Sequence, residues 1–251
     1  MTTGYEYLKR FRHISSHFER INLIAIYLEN ENIPYVIDCY EGIHKNIYIH
    51  FKGKTDENIV FLAHHDIKNP KSQNCQDNTA SVCNLLHLCN LLKVFSNLEK
   101  GVFIVFTDEE EKVDFKNSGA ARLAQCYKEE LFGFKNIEHF FNLELTGRGK
   151  IVWADTQDKY SSKLPHTKLV DTPFNDSTIL RYHGIDDTTC IGIFDDADYL
   201  EVYNKGTCDL WKLCHTEEDT FDKIVEEDMT SFVEEILFKL LELTKAVVYT
   251  C

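Results

Sequence analysis

Three stretches of the chain share an unusual form: "NIVFLAHHD" (58–66), "GVFIVFTDEEE" (101–111) and "IEHFFNLELTG" (137–147). Each holds a largely apolar stretch and carries ionisable residues at or near its end. A strand that is apolar on both alternating faces must be covered on both, so these runs read as central strands of a sandwiched sheet. Between them, "TASVCNLLHLCNLLKVF" and "ARLAQCYKEELFG" have the length and periodicity of helices. Alternating strands and helices imply a layered α/β domain, largely parallel in the middle.

The flanking segments extend this plan. "SSHFERINLIAIYLENENIP" reads as an amphipathic helix, with Ser16 and Glu19 at capping-box spacing and Phe18, Ile21, Ile24, Ala25 and Leu28 on one face. "YVIDCY" and "NIYIHF" alternate like an antiparallel pair with one wet face, which makes the sheet mixed. "KIVWAD" and "TTCIGIF" read as further strands, "FDDADYLE" as a solvated acidic turn, and "DMTSFVEEILFKLLELTKAVV" as a C-terminal amphipathic helix. With 251 residues, no linker-like composition and no internal repeat, the expectation is one domain over 1–251.

Charge and cysteine content narrow the class. A net charge of −14 with no basic stripe argues against nucleic acid as a partner. No run reaches the length of a membrane span, and the opening residues do not form a secretory signal. The nine cysteines are odd in number and scattered, and Cys251 stands in no prenylation box. This usage is expected of free thiols in a reducing cytoplasm.

In sheets of this kind ligands sit beyond the carboxyl ends of the strands. His64, His65 and Asp66 follow the first run, Glu109, Glu110 and Glu111 the second, and Glu144 the third. Asp77 precedes a helix, and His215 lies in "CHTEEDT" before the last helices. Singly, each has an ordinary explanation: a hydrogen-bonded histidine, an N-cap, a solvated turn. Together, imidazoles and carboxylates at one sheet edge suit Zn²⁺, or Mn²⁺ or Co²⁺. In an extended strand His64 and Asp66 share a side, while His65 points away. Cys75 and Cys214 neighbour these residues and read as inert buried thiols.

These elements, in this order, resemble the co-catalytic zinc aminopeptidase family, which includes leucyl-type aminopeptidases, glutamate carboxypeptidases and the related glutaminyl cyclases. "AHHDI" resembles its His-x-Asp element, "QDNTAS" its Asp-Asn element before a helix, and "FTDEEE" its Phe-x-Asp-x-Glu-Glu element. "NLELTG" resembles Asn-Leu-(Asp/Glu)-x-x-Gly, "HTEEDT" resembles His-Thr-x-x-Asp-Thr, and "FNDSTILRYHGI" a weaker Ser-Asp segment.

The resemblance implies the zinc-dependent exopeptidase fold, a three-layer αβα sandwich. It also implies a metal-dependent hydrolase, an aminopeptidase that acts on short peptides or another small amide through a hydroxide bridging two divalent ions. His64, Asp77 and Glu144 would bind one ion, and Asp77, Glu111 and His215 the other. Asp66 would orient His64, and Glu110 would be the general base. A cis peptide after Asp77 is implied too. Glu109 falls at a variable position that is often Gly and is expected to face solvent; the register with Glu109 as base and Glu110 as ligand stays open. Asp219 is either a partner near His215 or a helix cap. Tyr182, Tyr199 and Tyr203 are candidates for an oxyanion donor. Glu144 stands where peptidases often have Asp, and "KVDFKNSGA" is longer than the usual link. Two other readings use the same elements: a one-zinc cyclase-like acyltransferase, and a binding domain without chemistry.

Overall fold

The computed structural model describes residues 2–95 and 97–248, so Cys251 lies outside the described residues. One eight-stranded sheet organises the chain, in the order β1-β2-β4-β3-β5-β8-β6-β7. The strands are β1 Val36–Tyr40, β2 His44–Phe51, β3 Asn58–His64, β4 Gly101–Thr107, β5 Ile137–Leu143, β6 Ile151–Ala154, β7 Lys168–Leu169 and β8 Thr188–Phe194. The central β4, β3, β5 and β8 run parallel. β1 and β2 form an antiparallel edge, and β6 joins β8 antiparallel on the other side. The sheet is mixed with a parallel centre, and helices cover both faces.

The apolar runs serve two cores at once. Ile59, Phe61 and Ala63 of β3 face one core, packed with α1 (Gly4–Phe11), α2 (His17–Asn30), α3 (Ala80–Val94) and the C-terminal helical segment. Val60 and Leu62 face the other, with α4 (Gly119–Lys128) and α5 (Asp176–Tyr182). Each fully buried Leu, Ile or Phe contributes roughly 1.5–3 kcal/mol, so β3 alone commits the sheet to being sandwiched. The C-terminal segment runs through α8 (Glu226–Ser231), a π-turn (Phe232–Leu237) and α9 (Phe238–Leu243). α6 (Asp196–Lys205) and α7 (Asp209–Leu213) follow β8.

Three local expectations differ, and one helix was not expected. α1 carries no expectation from the sequence reading, yet Tyr7, Leu8 and Phe11 bury one face and the Thr3 hydroxyl accepts from the Glu6 amide at 3.3 Å. In α2, Ile21, Ile24, Ala25 and Leu28 are buried, but Phe18 is 61% exposed. It lies one residue inside the helix start, where its ring stacks under the Lys45 ammonium instead. Ser16 is the N-cap of α2 by position and makes no side-chain cap bond. "FDDADYLE" is the start of α6, not a turn: Asp195 caps the helix by accepting from the Asp198 amide at 2.8 Å, and its acidic residues occupy the first turn, where the helix dipole favours them.

The parallel centre places the chemistry. His64 is level with Thr107, and Leu62 with Asn142. The ionisable residues that follow β3, β4 and β5 therefore emerge side by side at one edge.

Candidate metal centre

Asp66 ties the first two loops together. Its Oδ1 lies 3.2 Å from Nδ1 of His64, and its two oxygens accept the backbone amides of Glu110 and Glu111 at 3.2 and 3.1 Å. One carboxylate thus fixes the His64 tautomer and positions the glutamate loop. His65, on the opposite side of the strand, is buried and bonds the Lys45 carbonyl at 2.9 Å. Arg20 of α2, fully buried, donates to the His65 carbonyl at 2.8 Å and to the Thr79 hydroxyl at 2.5 Å.

Asp77 lies in an irregular turn ahead of α3, and the Asp77–Asn78 peptide is cis. The side chains around the turn hold it in place. Asp219 accepts the amides of Gln76 and Asp77 at 2.7 and 3.1 Å, so it braces this turn and caps no helix. Asn78 donates to the Leu143 carbonyl at 2.7 Å and accepts the Leu145 amide at 3.3 Å, clamping the turn to both sides of Glu144.

The side chains then converge. Nε2 of His64 lies 3.2 Å from Asp77 Oδ1, 3.5 Å from Glu144 Oε2 and 3.9 Å from Glu110 Oε2. Nε2 of His215 lies 3.2 Å from Asp77 Oδ2 and 2.9 Å from Glu111 Oε2. His64, Asp77 and Glu144 form one ligand-like group, and Asp77, Glu111 and His215 another. Asp77 offers a different oxygen to each. Ligand atoms at zinc-like distances of ~2.0–2.2 Å stand roughly 3.3–3.6 Å apart in a tetrahedron, close to the spacings here. His215 is the exposed member, held by Asn69 donating to its carbonyl at 3.2 Å.

The three glutamates separate. Glu110 and Glu111 face the cavity. Glu109, expected in solvent, is 4% exposed and turns the other way, against His44 and Lys112. Its left-handed backbone (φ 65°) reverses the side-chain direction between neighbours, and a position with that conformation favours glycine.

Electrostatics bear on what the cluster would hold. Four carboxylates face two imidazoles. Burial pushes the Glu110, Glu144 and Glu111 carboxyls above their usual range, with neighbouring carboxylates adding to it. Burial opposes the Asp77 carboxylate, but His215 and His64 outweigh it and hold its pKa low. His215 is pushed up to about 10 by its bonds to Asp77 and Glu111. Carboxylates crowded together out of water are the arrangement that bound cations would balance. Glu111 Oε1 is also buried without a partner, so the donor set fits divalent metal.

A cavity of about 270 Å³ opens over these groups. Its other wall is apolar: Val113, Leu145, Trp153, Phe174 and Trp211. A larger cleft of about 700 Å³ lies between α1 and α2, away from the cluster. The sequence reading did not find these aromatic residues, since a lone Trp in a strand or short helix carries no site signal. Tyr182 and Tyr203 are exposed, Tyr199 packs with the Cys208 cluster, and none of the three lines the cavity. Burial raises the Cys75 and Cys214 thiols, which keeps them protonated at neutral pH.

Asp176 was also missed, although "FNDSTILRYHGI" contains it. It is fully buried beneath the site, accepts the Thr107 hydroxyl at 2.5 Å, and leaves Oδ1 unpartnered. Burial pushes its pKa up to about 7, against the pull of His64 and Thr107. The folded chain then keeps a proton that the unfolded chain has lost, so stability falls as pH rises from about 4 to about 7. Asp176→Asn removes this ionisation and keeps an acceptor for Thr107. In metal-free urea melts, the variant's advantage is expected to grow over that window by up to roughly 4 kcal/mol. A gap constant with pH would show that Asp176 titrates normally.

An α/β sandwich with two imidazole–carboxylate groups sharing one aspartate at the strand ends defines a metallohydrolase-like architecture. The profile of peptidase family M28 matches residues 46–239. The chain belongs to peptidase family M28. No curated protein matches it. Among solved structures, Porphyromonas gingivalis glutaminyl cyclase is similar at 14% identity and TM-score 0.72, covering 96% of this chain and 97% of that one. A Zn-dependent exopeptidase from Parabacteroides distasonis gives 14% and 0.69, with 96% of each chain covered. The zinc aminopeptidase BSAP from Bacillus subtilis gives 20% and 0.61, covering 79% of this chain and 50% of that one. At these identities the likeness is one of fold. Among the described residues, no helix is long and apolar enough to cross a membrane.

Proposed function

We propose that the chain is a metal-dependent aminopeptidase that removes apolar N-terminal residues from short peptides, with two divalent ions, zinc foremost. The observation that carries this reading is the sharing of Asp77 between two ligand-like groups, with Glu110 facing the same cavity as a further carboxylate. His64, Asp77 and Glu144 would hold one ion, and Asp77, Glu111 and His215 the other. A bound ion supplies Lewis acidity, which lowers the pKa of water towards ~7 and polarises a carbonyl.

The chain supplies the rest. Glu110, whose carboxyl burial pushes above its usual range, accepts the proton of the attacking water and returns it to the leaving amine. Trp153, Phe174 and Trp211 form a wall for an apolar side chain, and Asp66 keeps His64 aimed. Asp66→Asn is expected to weaken zinc binding about 10–100-fold, the usual effect of losing a ligand's orienting partner; equilibrium dialysis reads it. The unpaired cysteines support a reducing compartment, and we place the protein in the cytoplasm.

Digestion of paired peptides, with free or acetylated amino termini, tests the activity. Release of free N-terminal Phe or Leu from the unblocked peptides alone, abolished by chelator, is the expected result; cleavage of both forms would sink it. A second reading, ring closure of N-terminal Gln, draws on the near end-to-end fold match to a glutaminyl cyclase. Gln-leading peptides separate the two: the peptidase releases free Gln, and the cyclase releases ammonia.

A further inference from the structure

Behind the glutamate loop, on the side away from the cavity, a second set of metal-type donors meets. His17 opens α2, His44 opens β2, and Asp108 and Glu109 follow β4. Nδ1 of His17 lies 3.6 Å from Asp108 Oδ1. Nδ1 of His44 lies 2.9 Å from Glu109 Oε1 and 3.9 Å from Asp108 Oδ2. His17, Asp108 and Glu109 each bring a donor atom within 4.8 Å of the others. Both carboxylates are nearly fully buried, at 2% and 4% exposure. Two anions on adjacent residues are held out of water where an ordinary acidic turn would solvate them.

The surroundings hold three of the donors, His17, Asp108 and Glu109, close together, with His44 against Glu109 from the other side. Nε2 of His17 pairs with the Ile67 carbonyl at 3.3 Å, which protonates that nitrogen and frees Nδ1 as a lone-pair donor. This backbone anchoring of the far ring nitrogen is the usual arrangement for a metal-bound imidazole. Asp108 is steadied by the Lys45 amide at 3.0 Å. The Lys112 ammonium, largely exposed, takes the other oxygen of Glu109 and leaves Oε1 facing His44. The histidine–carboxylate spacings of 2.9, 3.6 and 3.9 Å straddle the roughly 3.3–3.6 Å expected between ligands of a tetrahedral ion. A shallow cleft lined by these residues with Gly42 and Lys45 opens to solvent and gives an ion a way in.

We propose that His17, His44, Asp108 and Glu109 form a separate divalent-metal site, selective for zinc-like ions. Two imidazoles with two carboxylates match the ligand preferences of Zn²⁺ and Co²⁺ better than those of Mg²⁺ or Ca²⁺. The ion would pin α2, β2 and the loop carrying Glu110 and Glu111 to one another, a brace from behind that leaves the cavity open. Glu109 accordingly plays a part of its own, because its left-handed backbone delivers a carboxylate to this second site while Glu110 and Glu111 face the first.

The test is a metal count on the whole chain, equilibrated with zinc and dialysed. Wild-type protein is expected to hold one equivalent more than His17→Ala/His44→Ala, and its Co²⁺ form to lose a matching part of its visible absorption in that variant. Glu109→Gln, which preserves shape, is expected to show the same loss of one equivalent, and it decides the matter if the double variant misfolds. Equal zinc content in wild type and Glu109→Gln would overturn the proposal and leave an ion-pair cluster only. Hydrolysis is not the readout, so failure here is separate from failure of the peptidase assignment.

Discussion

Glu110→Gln is expected to keep its metal and lose roughly 10²–10⁴-fold in turnover, the range for removing a positioned general base. The substitution is nearly isosteric, so the cavity, the Asp66 bond to the residue 110 amide and the ligand groups around Asp77 survive it. Only the capacity to take and return a proton is lost. The variant should also be no less stable than wild type. Glu110 is buried beside Glu144, Asp77 and Asp176, and a neutral amide relieves that repulsion. Lower kcat with unchanged zinc content and an unchanged or raised melting point is the joint signature. Near-normal turnover would show that another group is the base.

Asp77→Ala is expected to disable both ligand groups with one substitution. Asp77 is 3.2 Å from each imidazole and is shared by both groups. Removing one partner from a buried charged set costs roughly 3–5 kcal/mol, equivalent to between about 100-fold and a few thousand-fold in affinity. Zinc titration should therefore show weakened binding at His64/Glu144 and at Glu111/His215 together, with chelator-sensitive hydrolysis lost. By contrast, His215→Ala should leave the His64, Asp77 and Glu144 group able to hold an ion, because His215 belongs to one group only. If Asp77→Ala weakened no more than one binding event, the shared-ligand arrangement would be wrong.

Much of this architecture could be read before any coordinates. Continuous apolar runs have only one economical burial, between two helical layers, and Ile59 to Ala63 alternate between the two cores as that requires. Parallel strands bring their carboxyl ends to one edge, so His64, Glu110, Glu111 and Glu144 could be grouped from their positions after strands. The features that stayed hidden depend on single backbone angles or on packing between distant segments. The left-handed Glu109 reverses a side chain that the acidic run placed in solvent. Asp219 reaches back to the Asp77 turn across more than a hundred residues, a contact no local pattern encodes. Trp153 and Trp211 line the cavity from β6 and α7, and no local pattern encodes that placement. "FDDADYLE" misleads for a related reason: acidic residues suit a solvated turn and the first turn of a helix equally, and the Asp195 cap decides between them.

The most direct test is to strip the protein with chelator and return zinc stepwise while following release of free Leu or Phe from an unblocked short peptide. The stripped protein is predicted to be inactive, with release appearing as zinc fills the Asp77 centre and absent throughout in Glu110→Gln. Release that persists in fully stripped protein, or that never appears in zinc-loaded wild type, would contradict a metal-dependent aminopeptidase built on these residues.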